Sequence, residues 1–331
     1  MWKCVRRGLL HLIAWLACGL LVATVAVGWL GAGRLVEPPR RVLQDYHRER
    51  LDQPAAFGLR ITAYTGPQQT PCLLVEPEPS RNRNSWRGTE LRQSLQSSLP
   101  WGTVVGTVVM LHGHTGRKED HLPSCERFCA AGFRCLLLDL PGHGDHPAPH
   151  ATFGKKESAL VEALVDDLPG RFAISPEPLF LYGVSQGAAI ALQTAARHPE
   201  RWAGVISVSS FAALDRTLTH SAEAFAPNHA EWAPLATASV GCAAWFRAGY
   251  TPWEIQPIRV AQKLTMPVMI VHGREDRFIP FTDAEALFSR IPSSRKVLRP
   301  VEGAGHDNML STDAKHLYPE MCRFLLEARS R

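Results

Sequence analysis

Apolar runs of three to six residues recur along this chain, separated by longer polar-patterned stretches. Thr107-Val108-Val109-Met110-Leu111, Leu136-Leu137-Leu138, Leu179-Phe180-Leu181-Tyr182, Gly204 to Ser209 and Met266 to Val271 each lack the polar alternation of a half-solvated strand. Strands of this kind are buried on both faces, as in parallel sheets covered by helices. Ala188 to Arg197 is Ala-rich and reads as one such helix. An α/β fold with a mostly parallel central sheet flanked by helices is therefore expected. Ahead of the first run, Leu59 to Tyr64 and Cys72 to Glu76 read as two strands paired antiparallel across Gly66-Pro67.

Other stretches read differently. Arg40 to Leu51 is a charged, helical stem. Pro77 to Gly102, with Arg81, Arg83, Arg87 and Arg92, reads as a solvated surface excursion, the sharper alternative being contact with an acidic lipid surface. The interval 212–262 suits a cap of a few short helices. Nearby stand Phe211, Phe225, Trp232, Trp245, Phe246, Tyr250 and Trp253, which either line an acyl or aryl pocket or pack the insertion onto the core.

The amino terminus has its own pattern. Lys3, Arg6 and Arg7 precede an uncharged run from Gly8 to Gly33, interrupted only by His11. About 20 apolar residues cross a bilayer as a helix, whereas a cleaved signal has an apolar region of about 7–15. Residues 1–33 are thus expected to be an uncleaved signal anchor, followed by a juxtamembrane stem (34–56) and one catalytic domain (57–331). Cleavage near Gly31-Ala32-Gly33 is the alternative. A lipoprotein reading of Leu16-Ala17-Cys18 suits Trp15 poorly. Basic residues flank both ends, Arg34, Arg40 and Arg41 on the far side, so the positive-inside rule leans only slightly toward an extracytoplasmic catalytic domain.

Composition changes little. With 331 residues, 45% apolar and 20% charged, the chain can bury a large core. Three of the five net positive charges belong to Lys3, Arg6 and Arg7, so no nucleic-acid partner is implied. Cys72, Cys125, Cys129, Cys135, Cys242 and Cys322 lack the density of a disulfide scaffold.

Candidate chemistry lies at the ends of the apolar runs. Gly183-Val184-Ser185-Gln186-Gly187 joins a buried strand to a helix, where a sharp turn lifts a serine hydroxyl above the sheet. Serine is a poor nucleophile at neutral pH and needs a histidine base, itself oriented by an acid. Asp276, in the loop after Met266 to Val271, is the candidate acid, with Glu275 and Asp283 read as solvated charges. His306 follows small residues in Val301-Glu302-Gly303-Ala304-Gly305 and is the candidate base. The loop His112-Gly113-His114-Thr115-Gly116 can offer a backbone N–H to an oxyanion, so the amides of His114 and Gln186 are the candidate donors. A metal site around His143, Asp145 and His146 is the weaker reading. His112 and His143 belong to loops explained otherwise, and His121, His146 and His150 are placed in polar loops.

These blocks, with Asp139-Leu140-Pro141-Gly142-His143-Gly144, make residues from about 103 onward resemble the α/β-hydrolase superfamily, which includes carboxylesterases, monoacylglycerol lipases, feruloyl-type esterases and serine peptidases. Asp145-His146 departs from the family's usual serine after that loop. The resemblance implies a serine hydrolase acting on a small-molecule ester by an acyl-enzyme, without a cofactor. Amide or peptide hydrolysis and acyl transfer are the alternatives on the same machinery. A non-catalytic binding scaffold is the alternative from another class.

Overall fold

The computed structural model describes residues 2–80 and 85–329. Arg81, Arg83 and the side chain of Lys3 lie outside the described residues. Eight strands form one sheet: β1 (Leu59–Gly66), β2 (Thr70–Pro77), β3 (Gly106–Leu111), β4 (Phe133–Leu138), β5 (Leu179–Val184), β6 (Trp202–Val208), β7 (Val268–Gly273) and β8 (Lys296–Val301). Their order is β1-β2-β4-β3-β5-β6-β7-β8. β2 pairs antiparallel with β1 and β4; every later pairing is parallel. The carboxyl ends of β3, β5, β7 and β8 therefore share one edge, where ligands of open α/β sheets collect.

The pleat sorts each apolar run onto two faces. Val108, Met110, Phe180, Tyr182, Ile206, Val208, Met269 and Val271 pack into one core. That core is closed by α3 (Trp86–Leu95), α4 (Leu122–Ala130) and, after the short α11 (Met309–Thr312), by α12 (Ala314–Ala328). Val109, Leu111, Leu179, Leu181, Val205, Val268 and Ile270 face the other core, under α5 (Glu157–Phe172), α6 (Gln186–Ala195) and α10 (Phe281–Arg290). The absence of alternation in these strands follows from this two-sided burial.

Two expectations need correction. The stretch from Pro77 to Gly102 is not simply solvated, because it contains α3. Ser85 caps that helix by accepting from the Gly88 N–H at 3.0 Å, and Leu91 is buried. The described arginines bind protein: Arg92 donates to the Ala130 carbonyl and lies over the Trp101 ring, while Arg87 reaches Glu126 at 3.5 Å. The stem helix, α2, spans only Asp45–Asp52. Arg40 is outside it, its guanidinium donating to the carbonyls of Gly144, His146 and Ala148.

The remaining elements meet on the side of the sheet's active edge. α1 (Trp2–Val36) is long and apolar enough to cross a membrane. The interval 212–262 holds α7 (Leu214–Phe225), α8 (Ala233–Ala248) and α9 (Pro257–Val260). A third apolar cluster joins them. It contains Ala32, Leu35 and Val36 of α1, Ala243, Ala244 and Ala248 of α8, and Phe153, Ala189, Phe211, Tyr250 and Ile279.

Candidate active site

The turn from β5 to α6 is completed within one residue. Ser185 has φ 54° and ψ −116°, its N–H donates to Val208 O, and its carbonyl accepts from Ala188 and Ala189. A non-glycine residue at such a φ costs on the order of 1–3 kcal/mol and persists only where surroundings enforce it. The flanking glycines allow the enforcement. A Cβ on Gly187 would overlap the Leu111 carbonyl, and one on Gly183 would overlap the Gly187 carbonyl. Ser185 as a whole is 9% exposed, at the sheet edge.

His306 reaches this hydroxyl from the loop after β8. Its Nε2 stands 3.0 Å from Ser185 Oγ, and its Nδ1 stands 2.7 Å from Asp276 Oδ2. Because a carboxylate only accepts, Nδ1 carries the proton and Nε2 is free to accept from the serine. Asp276 is held in turn by the N–H groups of Phe278 (3.0 Å) and Ile279 (2.8 Å) on Oδ1. Burial alone would raise its pKa, but the His306 hydrogen bond and charge and the Ile279 N–H outweigh burial and lower it. The acid therefore stays ionised at neutral pH. The ring of Phe278 lies edge-on to His306 with centroids 5.1 Å apart.

The loop after β3 faces the serine: a Cβ on Gly113 would sit 3.5 Å from Ser185 Cβ. Among the described residues, the backbone amides of His114 and Gln186 donate to no protein acceptor. Free N–H groups close to the attacked carbonyl are what a developing oxyanion requires.

Several residues have roles that sequence reasoning did not assign. Asp283, read as a solvated charge, accepts from the Ala212 N–H at 2.8 Å and pins the start of the cap; burial raises its pKa. Its position two residues into an amphipathic helix carried no signal of that partner. Glu275 is exposed. His272 is fully buried beneath the acid, donating from Nε2 to Ile279 O at 2.8 Å and standing 3.5 Å from Asp276 Oδ2.

The histidines also need correction, since His121 and His146 are buried rather than in polar loops. His112 accepts the Leu140 N–H on Nε2 and donates from Nδ1 to Gly113 O, and its ring meets that of His143 at 5.0 Å. Asp145, the departure in the loop after β4, completes an ion cluster. It contacts Arg117 (2.8 Å) and Lys118 (3.0 Å), and Lys118 also binds the buried Asp139 (2.7 Å). Of the cap-region aromatics, Phe211 and Tyr250 are buried, whereas Phe225, Trp232, Trp245, Phe246 and Trp253 are exposed. The exposed five do not form an enclosed pocket.

Comparison with known proteins agrees with this architecture. Residues 102–243 match the family model described as serine aminopeptidase, S33. The chain is 30% identical over 279 residues to alpha/beta hydrolase domain-containing protein 17C of Xenopus laevis, covering 83% of this chain and 79% of that protein. It is 27% identical over 242 residues to pimeloyl-[acyl-carrier protein] methyl ester esterase of Nitrosomonas europaea, covering 62% and 90%. In fold it is similar to an esterase of Pyrococcus furiosus, with TM-score 0.64 and 17% identity over 89% of this chain and 99% of that one. The chain belongs to the α/β-hydrolase family and is a hydrolase by that membership.

Proposed function

We propose that this protein hydrolyses carboxylic esters through an acyl-enzyme, held at a membrane by α1. The observation that carries the reading is the continuous relay from Asp276 through His306 to Ser185 at 2.7 and 3.0 Å. Ser185 Oγ attacks the ester carbonyl while His306 Nε2 takes its proton. The His114 and Gln186 amides hold the oxyanion. His306 then protonates the leaving alcohol, and a water molecule, deprotonated by His306, releases the acid and restores the serine. Asp276 keeps the imidazole in the required tautomer. No step calls for a cofactor.

The ester preference is supported by the relative named as a methyl ester esterase and by Ile279, whose N–H holds Asp276 and whose side chain belongs to an apolar cluster. The S33 description supports amide hydrolysis as a second reading. For the anchor, support comes from Ala32, Leu35 and Val36, which are core residues that cleavage near Gly31 to Gly33 would remove or free. The catalytic domain is assigned to the extracytoplasmic side.

Ser185→Ala should abolish labelling by a fluorophosphonate probe and nearly all esterase activity; full activity in this variant would sink the proposal. Matched nitrophenyl esters and nitroanilides separate ester from amide preference. Protease accessibility in sealed cells tests the orientation.

A further inference from the structure

We propose that the outward tip of the cap docks into the bilayer beside α1, so that Ser185 receives acyl esters of membrane lipids from the lipid phase. The proposal rests on the readings of α1 as an anchor and of Ser185 as the nucleophile. It adds the substrate class and the surface that collects it.

The first observation is the register between α1 and α8. Ser239 Oγ donates to Thr24 O at 2.5 Å, and a Cβ on Gly28 would overlap Ser239. Further along, Gly31 lies against Val240, and Arg247 both covers the Trp29 ring and reaches Glu37 at 3.0 Å. Moving from Ser239 to Arg247 thus moves from Thr24 to Glu37, and the helices run parallel. The beginning of α8, the turn before it and the end of α7 therefore extend toward the part of α1 that precedes Thr24. Among the described residues that part has no protein cover: Leu9, Leu10, Leu12, Ile13, Trp15, Leu16, Leu20, Leu21 and Val22 are all exposed.

The second is depth. About 20 helical residues cross the hydrocarbon, so a span that begins just past Arg7 reaches its far boundary near Val27. Ser239 is level with that boundary. Trp232 lies seven residues before Ser239, which at 1.5 Å per residue is about 10 Å. The tip then rests roughly 5–10 Å into the membrane, the depth of interfacial amphipathic segments.

The third is chemistry. The tip presents Phe225 at 90%, Trp232 at 51% and Leu235 at 41% exposure. No charged residue occurs from Trp232 to Phe246. Exposed Trp245 and Phe246 continue the apolar stripe toward the headgroup level, where aromatic side chains favour the interface. Glu223, His229 and Glu231 are also exposed on the tip, and they keep it in the interface rather than the hydrocarbon. A bilayer fits better than a second copy of the chain, because the stripe continues the uncovered surface of α1, which already requires lipid.

The site adjoins this surface. The Leu35 carbonyl bonds His114, in the loop against Ser185. His220 of α7 lies 3.0 Å from the Arg277 carbonyl, next to Asp276. From Val27 to Val36 the helix rises about 13 Å, so a long-chain ester can meet Ser185 while its tail remains in the bilayer.

The test uses the full chain in phosphatidylcholine vesicles. In the Phe225→Asp, Leu235→Asp double variant, turnover of a water-soluble short-chain ester should stay within about two-fold. Turnover of a long-chain ester dissolved in the bilayer should fall at least about ten-fold, as loss of interfacial apolar contact predicts. Independently, a fluorophore at Leu235→Cys, with the exposed native cysteines replaced, should be quenched by brominated lipid. One at Val297→Cys should not be. Equal effects on both esters, together with no quenching at position 235 while the protein still floats with vesicles, overturns cap docking and leaves the anchor standing. Quenching by a label on a second copy instead of by lipid also overturns it. Failure to float removes the anchor and this proposal together, whereas soluble-ester turnover by the parent chain reports on Ser185 separately.

Discussion

His114 donates from Nε2 to the Leu35 carbonyl at 3.0 Å. This bond ties the loop beside Ser185 to the last turn of α1, across 79 residues of sequence. Phe153 stacks on the imidazole at 5.6 Å, and burial lowers its pKa, so the ring is neutral at pH 7. The backbone of His114 is the proposed oxyanion donor, and a side chain held in this way would position that backbone.

His114→Phe should therefore lower kcat by about ten-fold with little change in KM, since misplaced oxyanion donors act on the transition state. His114→Gln retains a donor and should recover part of the loss. Steady-state kinetics on a soluble ester check this. Equal kcat in all three proteins removes the positioning role.

Asp276→Asn should leave the fold intact and cut kcat by about 10³- to 10⁴-fold, because an amide can donate to Nδ1 and favour the wrong tautomer. Kinetics alongside a melting curve distinguish lost chemistry from lost structure. A loss below about ten-fold would transfer the orienting role elsewhere.

Gly187→Ala and Gly170→Ala form a matched pair. The first places a Cβ on the Leu111 carbonyl and 2.6 Å from the His112 carbonyl; the second meets nothing within 4 Å on α5. The expected outcomes are a loss of about 3 kcal/mol or more for Gly187 and a gain of up to about 1 kcal/mol for Gly170. Denaturant midpoints read both.

Acid should weaken the fold well above the carboxylate range. Burial pushes the His112 pKa from 6.5 down to about 4. Burial, then the neighbouring His112 and His114, push His143 lower still. The unfolded chain thus binds protons first as pH falls. This contribution is whole above pH 6.5 and is lost progressively toward pH 4. For His112 it amounts to about 3 kcal/mol. Melting temperatures should fall between pH 7.5 and 4.5, and less steeply in His112→Asn. A flat profile contradicts the buried neutral imidazoles.

That Ser185 and Asp276 would come together was legible because each lies at or just past the carboxyl end of an apolar run, and parallel strands put those ends on one edge; His306 follows the mixed strand β8 and was placed by its small-residue loop and its order in the chain. The two-faced strands revealed the layers for the same reason. Relationships between distant residues were not legible. Nothing near Asp283 specifies the Ala212 amide, and nothing near Lys118 specifies a buried partner at Asp139. The helix α3 was hidden by its arginines, whose apolar stems and charged heads are spent on Ala130, Trp101 and Glu126. His114 was a candidate backbone donor from its loop, but its side-chain partner in α1 left no local trace.

The bond between Thr24 and Ser239 spans 215 residues. At synthesis rates of about 5–20 residues per second, α8 follows the exit segment of α1 by about 10–40 s. Through that interval Gly28 and Gly31 are without the surface they are shaped for. The seam between α1 and α8 is consequently a late event in biogenesis, closed only after β5 and Ser185 have been made. A chain stalled before residue 239 would already carry Ser185 while lacking most of the helix that packs on α1.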